Sequence, residues 1–126
     1  MTEDEPVIRF TVVESDTASA ERETAVLELL TRLGIQATTA WHKKLILAIE
    51  GLAEFPGPQS WAIDEEVSIY YGRPVRRLLY RGPSGKSKLV YRIYYTIFES
   101  ADEEPSIIRI LRIVPGSWNP FTRSGE

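Results

Sequence analysis

The chain has 126 residues, 43% of them hydrophobic and 26% charged, with no cysteine and a single histidine. These figures describe one globular domain and exclude a disulfide scaffold, a thiolate metal site and a cysteine nucleophile; with one imidazole, neither a metal nor another cofactor is expected. The longest apolar run, Leu45 to Ile49, falls far short of the ~20 residues that span a bilayer, and the acidic start Thr2-Glu3-Asp4-Glu5 is the reverse of a basic leader, so a cytoplasmic protein without membrane contact is expected.

In chain order, residues 1–6 read as a flexible N-terminus closed by Pro6, and residues 119–126 as a C-terminal tail, leaving 7–118 as a single domain. Val7 to Val13 is β-branched and aromatic, a strand. Glu14 to Ser19 is a polar break rich in helix-capping side chains. From Ala18 to Leu33 the residues Val26, Leu27, Leu30 and Leu33 recur at helical spacing, and Gly34 suits the positive-φ position that ends a helix. A second helix is expected to start at Thr38 or Thr39, with Trp41, Leu45, Ala48, Ile49, Leu52 and Phe55 as its buried stripe, and to stop at Pro56-Gly57-Pro58. The short link from Gly34 to Ala37 then folds the two helices into an antiparallel hairpin.

Gln59 to Gly72 reads as a connector holding the acidic group Asp64-Glu65-Glu66. Three strands follow: Val75 to Tyr80, ended by Arg81-Gly82-Pro83-Ser84-Gly85; Lys88 to Phe98; and Ile107 to Val114, apolar on both faces as a central strand should be. In the second of these, Leu89, Tyr91, Ile93, Tyr95 and Ile97 share one face, and Val90, Arg92, Tyr94, Thr96 and Phe98 the other. The expected class is α+β in the order β-α-α-β-β-β, a helical hairpin packed on a small, mostly antiparallel sheet.

Charge is sorted along the chain. Residues 1–66 carry five basic side chains against thirteen acids, and residues 67–126 carry ten against five. The second half is a candidate anion-binding face, although the net charge of −3 argues against a protein that wraps long duplex DNA. Acidic helices resting beside a basic sheet would produce the same division.

Several motifs fail on inspection. Gly85-Lys86-Ser87 resembles the end of a phosphate-binding P-loop, yet position 80 is Tyr80 rather than glycine and a strand follows instead of a helix. Asn119-Pro120 is no glycosylation acceptor. His42 lies one position off the apolar stripe of the second helix and reads as a structural or surface histidine, and Asp64 to Glu66 reads as solvated acid rather than a magnesium site.

One constellation stands out. Arg73, Arg76, Arg77, Arg81, Lys86, Lys88 and Arg92 are interleaved with Tyr80, Tyr91, Tyr94 and Tyr95. Guanidinium groups grip phosphate bidentately and tyrosines stack on bases, a mixture suited to single-stranded RNA; arginine stems on a sheet whose rings fill the core give the same pattern.

The stretch from Ala40 to Pro56, closing in Leu52-Ala53-Glu54-Phe55-Pro56, resembles the helix of RelE/ParE toxins of bacterial type II toxin–antitoxin systems. Gly72 to Tyr80, Tyr91 to Ile97 and Ile108 to Ile113 resemble that superfamily's last three strands, and the likeness extends over about residues 7–118. It implies a growth-inhibiting toxin held inactive by a cognate antitoxin protein. RelE-type members enter the ribosome and cut messenger RNA without a metal; ParE-type members inhibit DNA gyrase and cut nothing; a third reading is a toxin fold that survives only to bind a partner. By position, the resemblance implies that Arg92 supports the scissile phosphate while Arg77 and Arg81 hold the RNA, with Arg73, Arg76, Lys86, Lys88 and Arg112 binding RNA or partner. After the last strand relatives commonly continue with histidine or glycine and then a basic residue. Here the chain reads Val114-Pro115-Gly116-Ser117-Trp118, and the basic groups nearest in sequence are Arg112 and Arg123.

Overall fold

A computed structural model of the chain describes residues 10–54, 61–82, 89–98 and 106–117. Strand β1 (Phe10–Glu14) leads into helix α1 (Asp16–Glu50) and a single 3-10 turn (Gly51–Ala53). A short helix α2 (Glu65–Tyr71) precedes β2 (Arg76–Tyr80), β3 (Tyr91–Phe98) and β4 (Ser106–Pro115). The four strands form one mixed sheet in the order β1-β4-β3-β2, with β1 parallel to β4 and the other two pairings antiparallel. The α+β expectation holds, and β4 is indeed central.

Ser15 makes the switch from strand to helix. Its amide donates to Ile110 O, its hydroxyl donates to Leu111 O, and the same oxygen accepts the Ala18 amide as the α1 N-cap. β1 therefore stops covering β4 at Ile110, and the remaining edge of β4 falls to α1: the Glu21 carboxylate accepts the Ile113 amide at 2.8 Å and pairs with the Arg112 guanidinium.

Gly34 divides α1 into two arms. Its φ of 87° and ψ of 175° belong to a region reserved in practice for glycine, so the helix breaks there and nowhere else along its 35 residues. Arg22 Nη1 lies 3.0 Å from His42 Nε2. On a straight helix those residues would stand about 30 Å apart, so the arms fold back on one another. The link is tighter than the expected Gly34 to Ala37: the second arm is helical from Ile35, and Thr38 is a buried helix residue rather than a cap.

Trp41, Leu45, Ile49 and Leu52 are buried as expected, while Phe55 lies outside the described residues. The first arm corrects its expected stripe. Of the expected residues Val26 packs against the core, whereas Leu27, Leu30 and Leu33 are exposed, and Ala18, Ala25 and Leu29 make the buried contact. Two alanines let this arm approach the sheet closely around Leu29, and the other three leucines are rotated off the contact. The main core joins both arms to one sheet face through Leu78, Tyr80, Tyr91, Ile93, Tyr95, Ile108, Ile110 and Ile113.

α2 replaces what reads in the sequence as a connector. Asp64 caps it by accepting the Val67 amide at 3.1 Å, Glu65 and Glu66 occupy the first turn where the helix dipole favours acids, and Gly72 closes it in the left-handed conformation. Val67 and Tyr71 then cover Val75, Tyr94, Leu111 and Val114 on the sheet's other face. Seven residues are too few for the 3.6-residue period to show, and the acids that disguise the segment are its start signal. Among the described residues no helix is long and apolar enough to cross a membrane, and no group of three or more histidine or carboxylate side chains is placed to hold a metal ion.

Candidate anion-binding cleft

A cleft of about 630 Å³ opens at the end of the sheet where β3 begins and β4 finishes. Arg77 and Leu79 of β2, Tyr91 and Arg92 of β3, Pro115 to Ser117 after β4, and Glu28 and Arg32 of the first α1 arm line it. The register explains the grouping. Arg77 stands opposite Tyr94, and Arg92 stands between Leu79 and Val114, so both arginines share the sheet face that carries Tyr94. Arg77 Nη1 lies 3.4 Å from Asp64 Oδ2, and Arg92 Nη1 donates to the Tyr94 hydroxyl at 3.3 Å. Each contact engages one nitrogen of a five-donor fork and fixes the direction of the rest. A half-exposed pair such as Arg77–Asp64 contributes little to stability, about 0–1 kcal/mol, so it orients more than it binds.

The wall opposite is built by a close backbone approach. The Gly116 amide donates to Val90 O at 2.7 Å, and a Cβ on Gly116 would sit 3.1 Å from that oxygen. Pro115-Gly116 thus closes the β3–β4 pair and shapes the cleft rim.

The arginines expected from the sequence separate into groups. Arg77 and Arg92 meet in the cleft, and Arg32 joins them from the helix, a residue sequence reasoning passed over. Its signal was weak: one of two arginines on an otherwise acidic arm, with no strand context to mark it, brought beside the sheet because that arm docks along β4 through Ser15 and Glu21. Arg81 is exposed and is not among the residues lining the cleft. Arg73 donates to the Thr96 hydroxyl at 3.0 Å and stacks its guanidinium 3.8 Å from the Phe98 ring centre. Arg76 donates to the Trp61 carbonyl. Arg112 is held by Glu21, which raises its pKa above the usual arginine value through the shared hydrogen bond. Lys86 and Lys88 lie outside the described residues.

The tyrosines resolve toward the core. Tyr80, Tyr91, Tyr94 and Tyr95 are all buried, so the stacking surface they suggested in sequence is not presented to solvent. Trp41 sits edge-on to Tyr80 and Tyr91, at ring-centre distances of 5.7 and 5.1 Å, and the Tyr80 hydroxyl donates to Trp41 O at 2.7 Å. Burial pushes the Tyr80 phenol up to about 12 and raises those of Tyr91 and Tyr95 as well. At Tyr91, the one that reaches the cleft, Glu28 adds to the rise and Arg32 opposes it. These phenols stay protonated at neutral pH and cannot serve there as bases. The cleft therefore offers oriented cations, one carboxylate and one neutral hydroxyl-bearing ring.

No protein-family model, curated protein or solved structure matches this chain.

Proposed function

We propose that this chain is a growth-inhibiting toxin of the RelE type that cuts messenger RNA on the ribosome, with the cleft as its phosphate site and a cognate antitoxin protein as its restraint. One observation carries the reading. Arg77 and Arg92, separated in sequence and on different strands, open on one cleft together with Arg32 of the helix. The β-α-α-β-β-β order, with α2 added, also supports the RelE/ParE resemblance.

Cleavage here needs charge stabilisation rather than a redox or metal centre. As the ribose 2′-hydroxyl gives its proton to water and its oxygen attacks the adjoining phosphorus, the bond to the 5′-oxygen breaks, leaving a 2′,3′-cyclic phosphate and a 5′-hydroxyl protonated by water. Forked guanidinium donors stabilise the charge that gathers on the non-bridging oxygens more than they stabilise the ground-state diester. The expected distribution of roles is Arg92 on the scissile phosphate, with Arg77 and Arg32 holding the strand. Arg81, off the cleft, contributes to approach of the RNA.

Induction in a bacterial host, followed by labelled amino-acid uptake and mapping of new RNA 5′ ends, tests this reading. A prompt fall in translation with new ends is expected, abolished by Arg92→Ala, reduced at least tenfold by Arg77→Ala and largely retained by Arg81→Ala. Stalled replication with translation intact would replace it with the gyrase reading, and no effect on either would leave a partner-binding module.

A further inference from the structure

A second groove, of about 420 Å³, runs along the first arm of α1 beside the β4 edge that β1 leaves uncovered. Thr17, Ala20, Thr24 and Ala25 form one wall, and Ile113 and Pro115 the other. Its volume lies within the ~300–1,000 Å³ typical of small-ligand sites. Glu28, Tyr91 and Pro115 line this groove and the arginine cleft alike, so the two adjoin across these residues.

The charges along that path are polarised. At one end stand Arg32, Arg77 and Arg92. At the other, the Glu21 carboxylate is already engaged by Arg112 and the Ile113 amide, and Glu28 stands at the junction. A phosphate is favoured at the first end, while the second, where Arg112 neutralises Glu21, offers an uncharged and mostly apolar surface. The ligand that matches is charged at one end and flat and apolar-faced at the other. A nucleotide has this form, with its charge confined to the phosphate and an uncharged base beside it; an acidic peptide segment would bring a carboxylate into the apolar groove itself.

We propose that the groove between the first arm of α1 and the end of β4 is a nucleobase subsite, in which a single-stranded RNA held by its phosphate on Arg77 and Arg92 lays the adjoining base between the helix wall and Pro115. The inference rests on the RNA reading of the cleft and adds to it a second contact region on the opposite side of Tyr91.

The test uses fluorescence anisotropy of the full chain with a short labelled single-stranded RNA and with versions carrying one abasic nucleotide at each position in turn. Ala20 and Thr24 are exposed, one helical turn apart on the groove wall, so the double change Ala20→Leu/Thr24→Leu fills the groove from outside and leaves the buried core untouched. One abasic position should weaken wild-type binding about fivefold, the lower end of the range for a stacked base, because the groove walls are aliphatic rather than aromatic. The double variant should lose a similar factor on intact RNA and become indifferent to that abasic position. Its retained affinity for the abasic strand, which the arginines hold, shows that it is folded. If Arg77→Ala and Arg92→Ala weaken binding while the abasic scan and the double variant do not, the subsite is refuted and the arginine cleft stands. If the arginine changes are also silent, both fall. Tighter binding of an acidic peptide than of RNA overturns the subsite as well.

Discussion

The two arms of α1 bury themselves against the same sheet face by different means. The second arm inserts large residues: Trp41 packs edge-on between Tyr80 and Tyr91, with Leu45 and Ile49 on successive turns. The first arm rests on Ala18, Ala25 and Leu29 and adds polar ties, Glu21 to Arg112 and to the Ile113 amide, and Arg22 to Glu14 through two contacts of 2.7 Å. A helix seated by small residues leaves space beside it, and the apolar groove lies along that arm. The arm that contributes less to the core is the arm that borders both candidate binding regions.

The sharpest test of this contrast is deletion of bulk from each arm. Trp41→Ala removes a fully buried ring and its two aromatic contacts, and should cost about 3–5 kcal/mol in chemical denaturation. Leu27→Ala and Leu33→Ala, at exposed positions of the first arm, should each stay within about 0.5 kcal/mol of the parent. Comparable losses from both arms would mean that the first arm's leucines are covered by something and that the contrast is false.

Next in size is the joint itself. A Cβ on Gly34 meets nothing within 4 Å, so Gly34→Ala tests backbone conformation alone. The φ of 87° should make it cost about 1–3 kcal/mol, with the arms still folded back. A neutral result would show that the turn adapts, and that glycine is not what sets the hairpin.

The same contrast explains what was legible in the sequence. Strands β2, β3 and β4 and the second arm announce themselves because their buried residues are large, so periodicity and burial coincide. The faces of β3 follow the alternation read from it, with Tyr91, Ile93 and Tyr95 in the main core and Tyr94 beneath α2. The first arm misleads because its true contact residues include two alanines, which carry little hydrophobic signal, while Leu27, Leu30 and Leu33 lie beside the contact. At the cleft, Arg77 and Arg92 were readable from their strand context. Arg32 was not, because its place there depends on how the first arm docks along β4, through Ser15 and Glu21, which helical spacing does not reveal.

The polar ties of the first arm should be worth less than the packing of the second. Glu21→Gln keeps an oxygen for the Ile113 amide and removes the charge facing Arg112, so about 1 kcal/mol of destabilisation is expected. The loss should shrink in high salt, because the pair is partly solvated. A cost matching that of Trp41→Ala would place the first arm's stability in its charges and overturn the ranking.

The smallest effect concerns the tie between the arms. An arginine has no acceptor, so its contact with His42 requires Nε2 to carry the lone pair and Nδ1 the proton. Burial, then the positive charge of Arg22, lowers the His42 pKa below the ordinary 6.5, with Glu14 partly opposing. The folded state thus prefers the neutral ring. Stability from this contact is complete above about pH 6.5, where the ring is neutral in both states. It declines as pH falls from there toward the lower folded-state value, because only the unfolded chain takes up the proton. The imidazole is partly solvated, so the change should remain below about 1 kcal/mol. Denaturation midpoints at pH 6.0 and 7.5, with His42→Asn as reference, isolate it from the carboxylates. The parent should lose more stability at the lower pH than the variant does; equal losses would show that the arms are held by packing alone, and that the Glu14–Arg22–His42 chain merely fills the space between them.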